Sequence, residues 1–146
     1  DEAGATAAMK LTHARLNQLI DQASSSQQVA ALVRQYYTRF SGTNVCNALL
    51  RMEALGLQQL EQGRLKGPEA HALDKLEVLI ERMAHRYSVR TLARCAHALA
   101  RMNQKADMVF EAVAWQVERK SGKLQPEELS NMLWAFVQMG HASSRL

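Results

Sequence analysis

The sequence predicts an all-α fold, an α-solenoid of helix–turn–helix repeats, on three observations. Alanine, leucine, glutamine and arginine are plentiful, whereas aromatics make up 5% of the chain and prolines number two. That balance fills helices rather than strands. Pro126 to Gly140 reads as a helix with its start and stop written in. Two ungapped relatives stand upstream, since Val45 to Gly56 and Leu92 to Asn103 align with Leu129 to Gly140. Self-similarity at such spacing marks an array whose units bury their apolar faces only against one another.

The expected organisation is a loose N-terminus over 1–10 and a helical-repeat domain over 11–146, with about three repeats (27–56, 71–103 and 107–140) behind a capping helix. Leu11, Leu16, Leu19 and Ile20 give that capping helix, Leu11 to Gln22, its apolar side. Ser24, Ser25 and Ser26 break it, and one of them can cap the next helix, Gln27 to about Arg39. There the apolar stripe is Val29, Leu32, Val33, Tyr36 and Phe40. Ser41 and Ser88 stand as N-caps of the first two copies of the signature helix, each an interaction of about 1 kcal/mol. Gln125 holds that place in the third copy. Here Pro126 suits the first helical position, and Glu127 and Glu128 meet the positive end of the helix dipole.

Between Leu129 and Met139 the run is apolar enough to predict a helix buried on most sides. Gly56, Asn103 and Gly140 fall where a left-handed cap is expected. An apolar residue five positions ahead also repeats, as Phe40, Tyr87 and Leu124. Val45 and Leu92 are 47 residues apart but Leu92 and Leu129 only 37, which places a ten-residue insertion within 57–70. His71 to about Tyr87 follows as a helix with Leu73, Leu76, Leu79, Ile80 and Met83 inward. Asp107 to Lys120 is its counterpart, with Met108, Val109, Val113 and Val117 toward the core.

Net charge is +4, and its distribution says more than its size. From Arg82 to Lys105 there are six basic residues and no acidic one. Cys46 and Cys95 fall in non-equivalent columns of the repeat with no second cysteine near either in sequence, so neither a disulfide nor a zinc site is expected. Both read as small buried hydrophobes. No apolar run approaches the roughly 20 residues of a membrane span, so no membrane insertion is expected. The chain starts at Asp1 rather than methionine, as a fragment or processed form would, and further repeats are expected from a longer protein or a partner.

No catalytic constellation is present: the nucleophile elbow, H-E-x-x-H, G-x-G-x-x-G and P-loop patterns are all missing. No cofactor and no enzymatic activity are expected. The histidines, at 13, 71, 85, 97 and 141, lack the i,i+4 pairing of a helical metal site. What remains is a polar stripe on the signature helix. Its columns are Asn47/Arg94/Asn131, Leu50/His97/Trp134 and Ala54/Arg101/Gln138, spaced i, i+3, i+7 on one face, with Arg51 at its border. These polar types read base edges and change from copy to copy, as in a modular RNA reader. Arg82, Arg86, Arg90, Arg94 and Arg101 suggest a basic ridge for phosphates. The plainer alternatives are a solvated or protein-binding face, Glu77 and Glu81 pairing with Arg82 or Arg86, and Trp134 as a core residue. Asn47 and Asn131 suit structure and contact equally.

Pro126 to His141, in full P-E-E-L-S-N-M-L-W-A-F-V-Q-M-G-H, resembles the signature helix of octotricopeptide repeats, the organellar RNA-binding helical repeats of green algae. The 37-residue interval is similar to that family's period. Leu19 to Gly56 resembles the segment that opens such arrays and the related FAST-kinase-like and RAP-domain proteins. The second copy departs from the pattern at Arg94 and Asn103. The resemblance implies an α-solenoid working on organellar RNA, either a transcript it stabilises or processes or the ribosomal RNA of a mitochondrial ribosome. RNA and other proteins of a large complex are the expected partners. The competing expectation is a protein-interaction scaffold or accessory subunit of an organellar membrane or respiratory complex.

Overall fold

The computed structural model describes residues 11–57 and 67–140, which form seven α-helices and no strand. They are α1 (His13–Gln22), α2 (Ser26–Tyr36), α3 (Gly42–Ala54), α4 (Pro68–Met83), α5 (Val89–Arg101), α6 (Asp107–Lys120) and α7 (Pro126–Gln138). The all-α expectation is met. Packing runs in two series: α1 on α3, α3 on α5 and α5 on α7, and likewise α2 on α4 and α4 on α6. The series are joined where α2 meets α3, α3 meets α4 and α5 meets α6. The expected capping helix α1 therefore stands at the head of the series that contains all three signature helices, α3, α5 and α7.

The repeat is specified by local chemistry at both ends of each signature helix. The helices α2, α4 and α6 each pass into a 3-10 turn, at Tyr37–Arg39, Ala84–Arg86 and Ser121–Lys123. Phe40 and Tyr87 then take extended backbone ahead of the N-caps Ser41 and Ser88. The Ser41 hydroxyl accepts from Asn44 N at 3.2 Å and Ser88 from Thr91 N at 3.1 Å. Phe40 and Val45, like Tyr87 and Leu92, thus occupy the N′ and N4 positions of a hydrophobic staple, which explains the repeated five-residue spacing. At the other end Gly56, Asn103 and Gly140 take φ of 87°, 56° and 74°. Leu57 N donates to Met52 O and Gln104 N to Leu99 O, closing Schellman-type turns.

Several details differ from the sequence reading. The α-helical part of α2 ends at Tyr36, and the 3-10 turn carries the chain to Arg39. Its N-cap is Ser25, one of the three serines expected to cap it, which accepts from Gln28 N at 3.1 Å. Pro68 opens α4, which therefore begins three residues before the expected His71, as proline at N1 permits. The remainder of the expected insertion (58–66), the N-terminal 1–10 and His141 lie outside the described residues.

Two side-chain expectations are corrected, and two contacts emerge that the sequence reading did not anticipate. First, α7 is not buried on most sides: Met132, Ala135 and Phe136 are buried, but Leu129, Leu133, Trp134 and Val137 are exposed. Met108 is 67% exposed, because the buried side of α6 is Val109, Phe110, Val113, Ala114 and Val117. Cys46 and Cys95, far apart in sequence, are free and buried as expected, but they lie beside one another where α3 packs on α5. Adjacent helices interdigitate, so residues from different columns become neighbours. Finally, the structural asparagine is Asn44: its Oδ1 accepts from Ser41 N at 2.9 Å, and its Nδ2 donates to His13 O at 2.9 Å and Asn17 Oδ1 at 2.7 Å. It joins the cap of α3 to the start of α1.

Glu77 does not pair with Arg82 or Arg86; Gln104 Nε2 donates to its Oε2 at 3.3 Å. Burial, with help from Asp74 and Glu81, pushes its carboxyl up to about 7 from 4.5, against the hydrogen bond from Gln104. A raised carboxylate pKa means the unfolded chain gives up its proton first as pH rises. Stability should therefore fall between about pH 4.5 and 7 and level off above. After allowance for solvent screening, the loss is about 2 kcal/mol at most. Glu77→Gln should flatten this slope and raise the melting temperature at pH 8, as thermal unfolding from pH 4 to 8 would reveal.

Candidate nucleic-acid interface

Helices α3, α5 and α7 pack side by side, so equivalent solvent-facing positions come together. The four positions are Thr43, Asn47, Leu50 and Ala54 on α3; Arg90, Arg94, His97 and Arg101 on α5; and Glu127, Asn131, Trp134 and Gln138 on α7. Their i, i+4, i+7, i+11 spacing keeps each set on one side of its helix. All are exposed except Asn47, Leu50 and His97, which are half-buried.

Two ion pairs brace this face across neighbouring helices. Arg90 Nε lies 2.9 Å from Glu128 Oε2 and Arg101 Nε 2.6 Å from Glu53 Oε1. Glu128 also accepts from Gln125 N through Oε1 at 3.1 Å, so one carboxylate starts α7 and anchors it to α5. Both arginines remain largely open to solvent, and exposed pairs of this kind contribute at most about 1 kcal/mol.

Between the two pairs Ala93, Arg94, His97, Glu128 and Asn131 line a small cleft of about 40 Å³. It has room for water or the edge of a group pressed against it, not for an enclosed substrate. Among the described residues Arg94 is in no ion pair. The His97 ring meets Trp134 edge-on, with centroids 5.4 Å apart and planes at 75°. Burial lowers the His97 pKa and Arg101 acts in the same direction, while Glu53 opposes them. The imidazole is therefore neutral at pH 7, able to donate and to accept. The cleft thus gathers a cation, a neutral imidazole, an amide and the Glu128 carboxylate, with the Trp134 indole against the imidazole.

The other candidates are placed differently. Arg51 donates through Nε and Nη2 to Ala23 O, at 3.2 and 2.7 Å, and so ties the end of α1 to α3. Arg82 lies in the last turn of α4 and Arg86 in the following 3-10 turn, both exposed and both in the other helix series from Arg90, Arg94 and Arg101. The expected ridge is therefore divided between two series. Asn47 borders the face on α3, where Leu50 and Ala54 make it less polar. Arg101 and Gln138 occupy equivalent ends of α5 and α7.

Two contributors escaped the sequence reading. Trp134 was expected in the core but is 45% exposed. Its signal was available, because it shares a column with the polar His97. The role of Glu128 as an ionic anchor depends on α5 and was not readable from its own helix. Comparison with protein-family models, with characterised proteins and with solved structures finds no match to this chain.

Proposed function

We propose that the chain is a non-enzymatic α-solenoid module that binds single-stranded RNA on the face formed by α3, α5 and α7. The observation that carries this reading is the Arg94 cleft. Arg94 supplies phosphate attraction, Asn131 and His97 supply donors and acceptors for a base edge, and Trp134 supplies an aromatic surface beside them. The packing of α3 on α5 and α5 on α7 supports reading the helix pairs as a continuing solenoid. With the octotricopeptide-like signature, the setting would be an organellar ribonucleoprotein, such as a mitochondrial ribosome or a transcript-stabilising or processing complex. Repeat readers of this kind contact about one base per repeat, so this chain would hold a few nucleotides and rely on other proteins of the complex. Among the described residues no helix is long and apolar enough to cross a membrane.

A protein-interaction scaffold, for example an accessory subunit of an organellar membrane or respiratory complex, is the second reading. It is favoured by the pairing of Arg90 with Glu128 and Arg101 with Glu53, which partly neutralises the face. Titration with a mixed-sequence single-stranded RNA separates the two. Phosphate contacts predict saturable binding that weakens with salt, with a slope of about −0.7 per contact in log K against log[salt]. No saturable binding at low salt would reject the RNA reading.

A further inference from the structure

The Arg94 cleft contains a group that a simple phosphate seat would not. Glu128 lines it from α7, while Arg94 and His97 line it from α5. A carboxylate repels phosphate but accepts hydrogen bonds, and this one is held at both oxygens. Oε2 lies 2.9 Å from Arg90 Nε, and Oε1 accepts from Gln125 N at 3.1 Å. The side chain is 17% exposed, so it has little freedom left to lose when a ligand arrives. Each oxygen of an ionised carboxylate has more than one lone pair, so both can still accept from a ligand.

The base that suits such a group presents two donors side by side. Guanine alone does so on its Watson–Crick edge, with N1–H next to the N2 amino group and the O6 acceptor just beyond. Adenine sets the N1 acceptor beside its amino group, cytosine sets N3 beside its own, and uracil flanks N3–H with two carbonyls. Each of these three turns a lone pair toward the carboxylate. At about 40 Å³ the cleft admits the edge of a base rather than the whole ring. Asn131 lines the same cleft and its amide can donate to O6.

Resting on the RNA-binding reading, we propose that the Arg94 cleft selects guanine. Glu128 accepts from N1–H and the N2 amino group, Asn131 donates to O6, and Arg94 meets the adjoining phosphate.

The test titrates the intact chain with short single-stranded oligouridines that carry uracil, adenine, cytosine, guanine or hypoxanthine at one central position. The guanine oligonucleotide should bind about tenfold more tightly than those with uracil, adenine or cytosine. Hypoxanthine keeps N1–H and O6 but lacks the 2-amino group, and should fall about threefold or more below guanine. Glu128→Gln keeps one acceptor oxygen and loses the other, and should shrink the guanine preference to within about threefold. Should that variant lose helix content, the comparison of guanine with hypoxanthine on the unaltered chain decides. Equal affinity for all the oligonucleotides would overturn the guanine assignment while leaving RNA binding in place. So would hypoxanthine binding as tightly as guanine, or a guanine preference that Glu128→Gln leaves undiminished in a folded chain. Absence of saturable binding to any of them at low salt would reject the RNA reading itself, and the assignment with it.

Discussion

Phe110→Ala should lower the free energy of unfolding by about 4 kcal/mol, the range of a large aromatic deleted from a close-packed core. Phe110 on α6 is fully buried and meets Phe136 on α7 edge-to-face, with centroids 4.9 Å apart and planes at 75°. Such pairs contribute about 1 kcal/mol beyond the area they bury. The contact joins the two helix series at their last described members, so its loss removes packing from both. Met108→Ala, two positions away but 67% exposed, should change stability by less than about 0.5 kcal/mol. Urea unfolding of the two variants checks this. A Phe110→Ala cost below about 1 kcal/mol would mean that α7 is not held by this core.

The second large effect concerns the face. Replacing Arg90, Arg94 and Arg101 together by alanine should lower affinity for single-stranded RNA by about 100-fold at physiological salt. The salt slope should fall by about 0.7 for each arginine that meets a phosphate. Arg94→Ala alone should account for the largest share, since Arg90 and Arg101 must first release Glu128 and Glu53. Stability should change little, because pairs this exposed contribute little to folding. Equal affinity for the triple variant and the parent chain, measured by anisotropy over a salt series, would remove the basis for a phosphate-binding face.

The elements that were legible in the sequence are those whose causes are local. Ser41 and Ser88 cap helices through a hydroxyl three residues from its donor. Asn103 adopts the left-handed turn that Gly56 and Gly140 adopt. Such features recur wherever the short motif recurs. What was not legible depends on neighbours. Leu129, Leu133 and Val137 look like core residues because their counterparts are core, and they differ only in having no helix beside them among the described residues. Cys46 and Cys95 meet because α3 and α5 interlock with an offset that column alignment does not express.

The candidate site shows the same division. Sequence reading put the arginines in the second copy of the signature and the amide and indole in the third. Packing of α5 against α7 brings both sets to one cleft, with Arg94, His97 and Asn131 lining it and Trp134 against His97. The polar columns were readable from helical spacing, but the adjacency that gives them a joint chemistry arises only from the fold.

The two tryptophans lie in different helix series, Trp134 on α7 and Trp115 on α6, both close to half exposed. Fluorescence of Trp115→Phe and Trp134→Phe during titration with single-stranded RNA therefore reports which series carries the ligand. The account predicts saturable quenching of Trp134 in the first variant and little change in Trp115 in the second. Quenching confined to Trp115, or saturating RNA without effect on Trp134, would contradict it.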